Sequence, residues 1–472
     1  MRLIPFVVLF IIPFNLTAMS PSSSIQKLIR AGELQQAIQL CDKQLQRYKT
    51  DDPLYFHFDS IKQTAQRIYL DFMISEQEID DKLQQRGIHP VNRELWEKNG
   101  WLEYKIIDGT KQYFNRAAGN LALRLKQQSD SINPEKRSIK RFDVFREGDA
   151  GSTISAIEKG MTLKPHHFRI QYTLTVKADA VPAGEIIRCW LPWPKENHAT
   201  QFDVKLIETN LKNYIISSDS LIHRTLYAEK KAIAGEPVVF SYVVTFKALP
   251  RWINPEYIKP LKYNRRSQLY QQFTREEFPH IVFSNNIRKL ADEIVGNEKK
   301  PLQIVQKIYD FISNNIIWSG AQEYCIMEQI PEYVIQNRKG DCGMQTFLFM
   351  SLARYKGIPV RWQSGFMLHP TEENLHDWCE VYYEGMGWVP LDMSFQLLPS
   401  ENKNIRNFYV TGLDAYRWIV NDGIAGELYP KKKYYRSEPF DFQRGEVEWK
   451  GGNLYFNQWE YDFEVESMSV QK

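Results

Sequence analysis

The chain has 472 residues, which is enough for two or three domains. Hydrophobic residues make up 43% of the composition and charged residues 25%, as in ordinary folded proteins, so a disordered chain is not expected. The 60 basic and 57 acidic side chains nearly balance, and the resulting net charge of +3 does not favour nucleic acid or another polyanion as a partner.

The N-terminus has the pattern of a secretory signal peptide. Arg2 supplies a positive charge, residues 3–16 are almost wholly apolar, and the small residues Ala18 and Ser20 follow. We therefore predict a signal peptide over residues 1–20 and a secreted or periplasmic protein. A short N-terminal anchor is the alternative, but the apolar run is too short for a stable membrane span, and no later segment approaches the required length.

The cysteine content is low and odd. Five cysteines are too few for a disulfide-built scaffold, and at least one must stay free or pair between chains. They are Cys41, Cys189, Cys325, Cys342 and Cys379. No paired cysteines or histidines have zinc-ligand spacing, so the sequence predicts neither a metal site nor a cofactor.

Residues 21–130 form a predicted helical region. Apolar residues recur at intervals of three and four, with Cys41 on the buried stripe and a break at Gly32. A longer helix is predicted over residues 59–85. Asp108-Gly109 lies between two apolar runs, which predicts a β-hairpin. Residues 128–140 are polar and charged and are interpreted as a linker.

The hydrophobic period changes to two in the next region, which favours a β-sandwich over residues 160–250. Residues 249–273 are interpreted as an interdomain connection, and helices are predicted over residues 284–295 and 301–315. Short strands in residues 435–472 are predicted to pack on the sandwich or on the core. Their many aromatic side chains leave open a carbohydrate-binding surface. These are Trp449, Tyr455, Phe456, Trp459, Tyr461 and Phe463.

The residues with the strongest chemical signal lie between positions 340 and 392. Gly340-Asp341-Cys342-Gly343 precedes an apolar helical run. A thiolate at a helix N-terminus is stabilised by unpaired backbone amides and the helix dipole, which lowers the thiol pKa. The alternative is a packed cysteine that opens a core helix. The two glycines would allow close approach of a substrate, so Gly340 and Gly343 are candidate cleft residues.

A second candidate segment contains His376 on a predicted strand. Trp378 shares the face of His376, whereas Asp377 and Cys379 point to the other face. Cys379 is therefore predicted to be a core thiol, with a disulfide to Cys325 as the alternative. The return strand of a hairpin ends at Asp392, 16 residues after His376, where a carboxylate would orient the imidazole.

These segments resemble the three motifs of the transglutaminase-like superfamily. The matching residues are Gly340-Asp341-Cys342, the run from His376 to Tyr382, and Gly387-Trp-Val-Pro-Leu-Asp392. The resemblance implies a papain-like core over residues 260–430 with Cys342 as nucleophile, His376 as general base and acid, and Asp392 as the orienting carboxylate. Asp377 departs from the pattern, because relatives more often have a small residue there.

The predicted fold is thus an α+β multidomain protein: a helical N-terminal region, a β-sandwich, a papain-like transglutaminase core and C-terminal β-strands. Candidate oxyanion donors are the backbone amide of Cys342, the Trp318 indole and Tyr324. Trp378 is a further candidate for the cleft.

The expected partner is a peptide, protein or glycopeptide substrate, and no nucleic acid. The resemblance leaves three hypotheses open: hydrolysis of an amide through a thioester, transfer of glutamine acyl groups to amines, and a non-catalytic binding protein that keeps the fold.

Overall fold

The computed structural model describes residues 21–132 and 141–468 of the chain. The predicted signal peptide lies outside these residues. Within them, no helix has both the length and the apolar character needed to cross a bilayer.

The N-terminal region is helical around a small antiparallel sheet. Its helices are α1 Pro21–Ala31, α2 Leu34–Leu45, α3 Pro53–Asp71, α4 Glu76–Gln84, α5 Arg93–Lys98 and α6 Ala117–Ile132. Its strands are β1 Phe72–Ile74, β2 Tyr104–Ile107 and β3 Thr110–Phe114. The predicted hairpin is present. Asp108 and Gly109 have φ of +47° and +80°, as a two-residue hairpin turn with left-handed residues requires.

Two expectations for this region were wrong. The single helix expected over residues 59–85 is two helices, because Phe72 leaves the helix to pair with Phe114, and Ser75 then starts α4 through a capping box with Glu78. Helix α6 runs through the first part of the predicted linker, whose remainder lies outside the described residues. A helix α7, Arg141–Glu158, follows where none was predicted.

The next strands form most of a β-sandwich. They are β4 His166–Val176, β5 Ile186–Pro192, β6 Gln201–Thr209, β7 Tyr214–Ile216, β8 Thr225–Lys231 and β9 Val238–Ala248, followed by the short β10 Arg251–Trp252. Alternate residues of β4 are buried from Phe168 to Val176, as the period of two predicts.

The core follows in the chain. Its helices are α8 Gln268–Phe273, α9 Asn285–Val295, α10 Pro301–Asn315, α11 Ile330–Asn337 and α12 Cys342–Tyr355. Its strands are β11 Ile317–Trp318, β12 Lys339–Gly340, β13 Val360–His369, β14 Glu372–Tyr383 and β15 Gly387–Leu391. The chain ends with α13 Lys403–Arg406, β16 Gly412–Leu413, β17 Arg417–Asn421, β18 Glu446–Trp449, β19 Gly452–Leu454 and β20 Trp459–Met468.

The sheets show how these segments assemble. The core sheet has the strand order β15-β14-β13-β17. The last three strands join the sandwich, whose two sheets have the orders β19-β18-β5-β8-β7 and β20-β4-β9-β6. Helix α12 is buried along almost its whole length and packs with Val360 and Val381 of the core sheet. Phe366 and Trp418 of the same sheet belong to the sandwich cluster. The core sheet therefore connects the helical layer to the sandwich.

The C-terminal aromatic residues, for which a carbohydrate-binding surface was left open, pack mostly within the protein. Trp459 is buried and donates its indole N–H to the carbonyl of Leu454 at 3.0 Å. Phe456, Tyr461 and Phe463 pack against the sandwich cluster. Most of these rings thus contribute to the packing of the sandwich, and carbohydrate contact stays a prediction.

Candidate active site

Cys342 is the first residue of α12. Asp341 caps the helix, because its carboxylate accepts the backbone N–H of Met344 at 3.0 Å. The Tyr324 hydroxyl donates to the same carboxylate at 2.7 Å. The cap thus fixes the first turn of the helix and with it the position of the Cys342 thiol, which is partly exposed.

The surroundings of this thiol differ from the expectation. Its Sγ donates a hydrogen bond to Oδ2 of Asp377 at 3.2 Å. Burial, followed by the charges of Asp377 and Asp341, raises the pKa of Cys342 well above its usual value. The helix N-terminus alone predicted a lowered pKa. That prediction was wrong because two carboxylates and burial outweigh the helix dipole here.

His376 and Asp392 form a buried pair. In the hairpin of β14 and β15, Cys379 lies opposite Leu391, so Asp392 follows at the level of Trp378, two residues from His376 on the same face of the strand. The imidazole Nε2 lies 2.7 Å from Oδ2 of Asp392. Burial lowers the pKa of His376, although Asp392 acts in the opposite direction. The imidazole is therefore neutral at neutral pH, and Nε2 carries the proton that Asp392 accepts.

A buried arginine completes this pair. Nη1 of Arg417 lies 3.0 Å from Oδ2 of Asp392, and Nη2 donates to Asp414 at 2.9 Å. The guanidinium also stacks over the Phe395 ring at 4.3 Å. Burial acts to raise the pKa of Asp392, but His376 and Arg417 outweigh it, and the net pKa is lowered. Asp392 is thus held as a carboxylate.

The structure brings some predicted residues together and not others. Cys342 contacts Asp377, and His376 contacts Asp392, but in the described chain no hydrogen bond joins the Cys342 sulfur to the imidazole. Asp377 was expected opposite the catalytic face. That expectation was wrong, because α12 packs on the side of β14 to which Asp377 and Cys379 point. His376 and Asp377 are consecutive in β14 and point to opposite faces of the strand, so the sulfur contacts the Asp377 face.

The other cysteines have the positions expected for thiols without a partner. All five cysteines lie in the described chain, and each is a free thiol. Cys379 is fully buried in the core cluster, as predicted, and burial raises its pKa well above the usual value. Cys325 has no disulfide to it. Its sulfur lies 4.0 Å from the Tyr455 hydroxyl.

The predicted cleft residues do not line a cleft. Trp378 is fully buried and donates its indole N–H to Gln363 at 2.8 Å. A Cβ at Gly340 would lie 2.8 Å from that of Met344. A Cβ at Gly343 would lie 2.1 Å from the Tyr324 hydroxyl oxygen and 2.5 Å from Oδ2 of Asp377. The glycines are therefore required for close packing within the protein rather than for approach of a substrate.

The two side chains considered as oxyanion donors differ in availability. Trp318 is 44% exposed, and its strand β11 pairs with Gly340, two residues before the thiol. Tyr324 packs over the first turn of α12, but its hydroxyl proton is already donated to Asp341. Trp318 is thus the better-placed of these two candidates.

The N-terminal region supports the loop that carries both residues. Asn120 exchanges two hydrogen bonds with the backbone of Gly320, at 2.9 and 2.8 Å. The carboxylate of Asp71 accepts the backbone N–H of Glu323 at 2.8 Å. A cavity of about 1500 Å³ lies between this region and the core, but neither Cys342 nor His376 lines it. The helical region therefore helps to fix the position of this loop.

Several residues of the site were missed from the sequence. Arg417 has a signal that could have been used: an arginine in an apolar strand needs a buried carboxylate partner. Asp441 and Gln443 had no such signal, because the segment before β18 has no regular pattern. Nε2 of Gln443 donates to Oδ1 of Asp377 at 2.9 Å and to the carbonyl of His376 at 3.0 Å.

The family comparison agrees with this geometry. Residues 288–393 match the model of the transglutaminase-like superfamily, a range that includes Cys342, His376 and Asp392. This part of the chain belongs to that superfamily, and the protein is a multidomain α/β protein built around a transglutaminase-like core.

Individual relatives are distant. An uncharacterised protein of Haemophilus influenzae is 23% identical over 301 residues, which are 55% of this chain and 80% of that protein. The uncharacterised protein YebA of Bacillus subtilis is 23% identical over 170 residues, 32% of this chain and 23% of its own length.

The matching solved structures are distant as well. A proposed cysteine protease from Cytophaga hutchinsonii has a TM-score of 0.42 and 15% identity, covering 66% of this chain and 93% of that chain. The periplasmic domain of TgpA from Pseudomonas aeruginosa has a TM-score of 0.25 and 15% identity, covering 54% of this chain and 95% of that chain.

Proposed function

We propose that this protein is an exported thiol hydrolase that cleaves amide bonds of peptides or glycopeptides, with Cys342, His376 and Asp392 as its catalytic residues. The observation that carries the proposal is the buried hydrogen bond of 2.7 Å between His376 and Asp392, in a core whose helix α12 begins with the Cys342 thiol. A neutral histidine oriented by a carboxylate is the arrangement that general base catalysis needs.

The first step follows from which ring nitrogen is available. Asp392 accepts a hydrogen bond from Nε2, so Nδ1 has the lone pair that can take the thiol proton. For this transfer the Cys342 sulfur must leave Asp377 and come within hydrogen-bond distance of Nδ1. The thiolate then attacks the carbonyl carbon of the amide, and the imidazolium is stabilised by Asp392.

The remaining steps need only these groups and water. The carbonyl oxygen gains a negative charge, for which the backbone N–H of Cys342 and the Trp318 indole are the proposed donors. Collapse of this intermediate breaks the C–N bond, and the leaving amine takes the proton from His376. A thioester on Cys342 remains. Water then loses a proton to His376, attacks the thioester, and releases the acid and the thiol.

Export is proposed on sequence grounds alone. The basic and apolar pattern of residues 1–20 supports it. Fractionation of the producing cells, with N-terminal sequencing of the mature protein, tests the proposal. Recovery of the full-length chain from the cytosolic fraction would contradict it.

Labelling with a peptide-based, thiol-reactive electrophile tests the catalytic residues. We expect the bound peptide of the probe to displace the thiol from Asp377, so that Cys342 of the native protein is modified. We expect no modification at position 342 of the Cys342→Ala variant, and at least about tenfold slower modification in the His376→Ala variant. Cys325→Ala is the matched control and should label as the native protein does. Equal labelling of native and denatured protein at Cys342 would show that the thiol is not activated.

A product screen distinguishes hydrolysis from amine transfer. Peptide substrates that acylate Cys342 are incubated with and without a primary amine, and the products are identified by mass spectrometry. We expect the free acid in both cases. An amide of the added amine as the main product would instead establish a transferase.

A further inference from the structure

The hydrogen bond of the Cys342 thiol goes to a carboxylate that the proposed reaction does not use. Oδ2 of Asp377 lies 3.2 Å from Sγ. The carboxylate is packed tightly on the first turn of α12, since a Cβ at Gly343 would lie 2.5 Å from this same oxygen. Asp377 is only 2% exposed. Its contact with sulfur is therefore set by close packing rather than by a mobile surface side chain.

A second buried carboxyl group holds Asp377. The Asp441 carboxyl group lies close enough to Asp377 and Ser364 to interact with both. Burial and the charge of Asp441 raise the pKa of Asp377 well above its usual value. Gln443 donates to the other oxygen of Asp377, Oδ1, at 2.9 Å. Two adjacent buried carboxyl groups disfavour a second negative charge, so the pair keeps a proton at pH values where separate carboxyl groups have lost theirs.

No cation in the described chain compensates a charge on this pair. Among the described residues, no lysine, arginine or histidine forms an ion pair with Asp377 or Asp441 within 4.0 Å. The titratable groups that face the pair are acidic or neutral: Cys342, Asp341, Tyr324 and Glu438. The basic groups nearby are engaged elsewhere. Arg444, for example, pairs with Glu323 and Glu438 at 2.6 Å each.

We propose that Asp377 is a positioning residue that holds Cys342 in a resting state, as a neutral thiol bonded to the shared-proton pair of Asp377 and Asp441 instead of to His376. This inference rests on the proposed function in taking Cys342 as the nucleophile. The pair restrains the nucleophile in two ways: it occupies the thiol proton, and its negative charge opposes formation of a thiolate. Uptake of a second proton by the pair removes the charge and releases the restraint.

The test is the rate of alkylation of Cys342 as a function of pH. Iodoacetamide reacts with thiolates, and peptide mass spectrometry separates Cys342 from the other cysteines. Second-order rate constants are measured from about pH 5 to about pH 9 for the native protein, Asp377→Asn and Asp377→Ala. Cys325 in the same molecules is the internal control. Thermal unfolding verifies that each variant is folded.

We expect both Asp377 variants to react about tenfold or more faster than the native protein near pH 8. They remove the carboxylate that accepts the thiol proton, and the charge that remains on Asp441 has no direct contact with the sulfur. The ratio of the variant rate to the native rate should fall towards one as the pH falls and the pair of Asp377 and Asp441 takes up its second proton. Cys325 should react equally in all three proteins.

Asp441→Asn is an independent variant, because it removes the shared proton but keeps Asp377. Its Cys342 should still be alkylated slowly near pH 8. As the pH falls, the alkylation rates of the native protein and of Asp441→Asn should each approach the rate of Asp377→Asn. The native protein should reach that rate at a higher pH than Asp441→Asn does. This shift is a property of the pair that a purely structural role of Asp377 would not produce.

Rates for the Asp377 variants that equal or fall below the native rate near pH 8 would overturn the inference, and a fall would make Asp377 a proton acceptor for the thiol. Alkylation needs no turnover. If the Asp377 variants are alkylated faster but the native protein cleaves no amide, the restraint on Cys342 is supported and only the proposed function is contradicted.

Discussion

The two carboxylates nearest the catalytic residues differ in their surroundings. Asp392 lies between His376 and Arg417, and these partners lower its pKa despite complete burial. Asp377 is equally buried but lies beside Asp441 and the Cys342 thiol, and its pKa is raised. The same side chain type thus serves as a permanent anion in one place and as a proton-retaining group in the other. The difference depends on whether a cation is buried with it.

The largest expected effect is on the Asp392 side. Asp392→Asn removes the charge that stabilises a protonated His376 and can present an amide N–H to Nε2, which favours the wrong tautomer. We expect kcat to fall by about 10³-fold or more. The measurement is steady-state hydrolysis of a peptide amide, with Asp422→Asn, a carboxylate away from the site, as control. An effect below about tenfold would show that Asp392 does not orient the histidine.

The second effect concerns stability. Arg417→Met leaves Asp392 and Asp414 buried without their cation. We expect the free energy of unfolding to fall by about 3–5 kcal/mol, the cost of breaking a buried ion pair from one side. Urea unfolding gives the value. Arg30→Met is the control, because its ion pair with Glu328 is exposed and should contribute less than about 1 kcal/mol. Equal losses in both variants would contradict the comparison.

A smaller effect is expected from packing on the Asp377 side. In Gly343→Ala the new Cβ would lie 2.1 Å from the Tyr324 hydroxyl oxygen, so the loop or the helix must shift. We expect a loss of about 1–3 kcal/mol in unfolding free energy. Gly119→Ala in α6 is the matched control, since a Cβ there meets no atom within 4 Å and should stabilise the helix by up to about 1 kcal/mol.

The smallest effect is the pH dependence of stability. Asp377 keeps its proton in the folded protein at pH values where the unfolded chain, with a carboxyl pKa of about 3.9, has lost it. The folded state then binds more protons, so Asp377 lowers stability as the pH rises above about 4. Asp377→Asn should gain about 1 kcal/mol or more over the native protein in urea unfolding as the pH rises.

Asp392 has the opposite sign in the same experiment. Its pKa is lowered in the folded protein, so its stabilisation is present above about pH 4 and is lost as the pH falls through the folded-state value. If the difference in unfolding free energy between Asp377→Asn and the native protein does not grow as the pH rises, Asp377 does not retain a proton in the folded protein. The two carboxylates would then not differ as described.

Local patterns in the sequence predicted much of this site. The helix that begins at Cys342, the hairpin that brings Asp392 to His376 and the inward position of Cys379 all follow from periodicity and spacing. The thiol environment did not follow. It depends on which face of β14 the helix covers and on the segment that brings Asp441 to Asp377, and both are long-range packing effects that no local period encodes.

The fold shows the same division. Alternation predicted the strands of the sandwich, and strands in residues 435–472 were predicted to pack on the sandwich or on the core. The structure pairs them with β5 and β4 of the sandwich, a choice that the sequence left open. The break at Phe72 was missed because helical periodicity continues on both sides of it, and only pairing with Phe114 explains it. Patterns within one element were readable, whereas partners distant in the chain were not.

The most direct measurement of the central claim is the crystal structure of a covalent adduct with a peptide aldehyde. The account predicts a thiohemiacetal on Cys342, the sulfur away from Asp377, and Nδ1 of His376 within about 3 Å of the sulfur or the adduct oxygen while Nε2 stays on Asp392. An unmodified Cys342, or an adduct whose atoms lie beyond hydrogen-bond reach of His376, would contradict it.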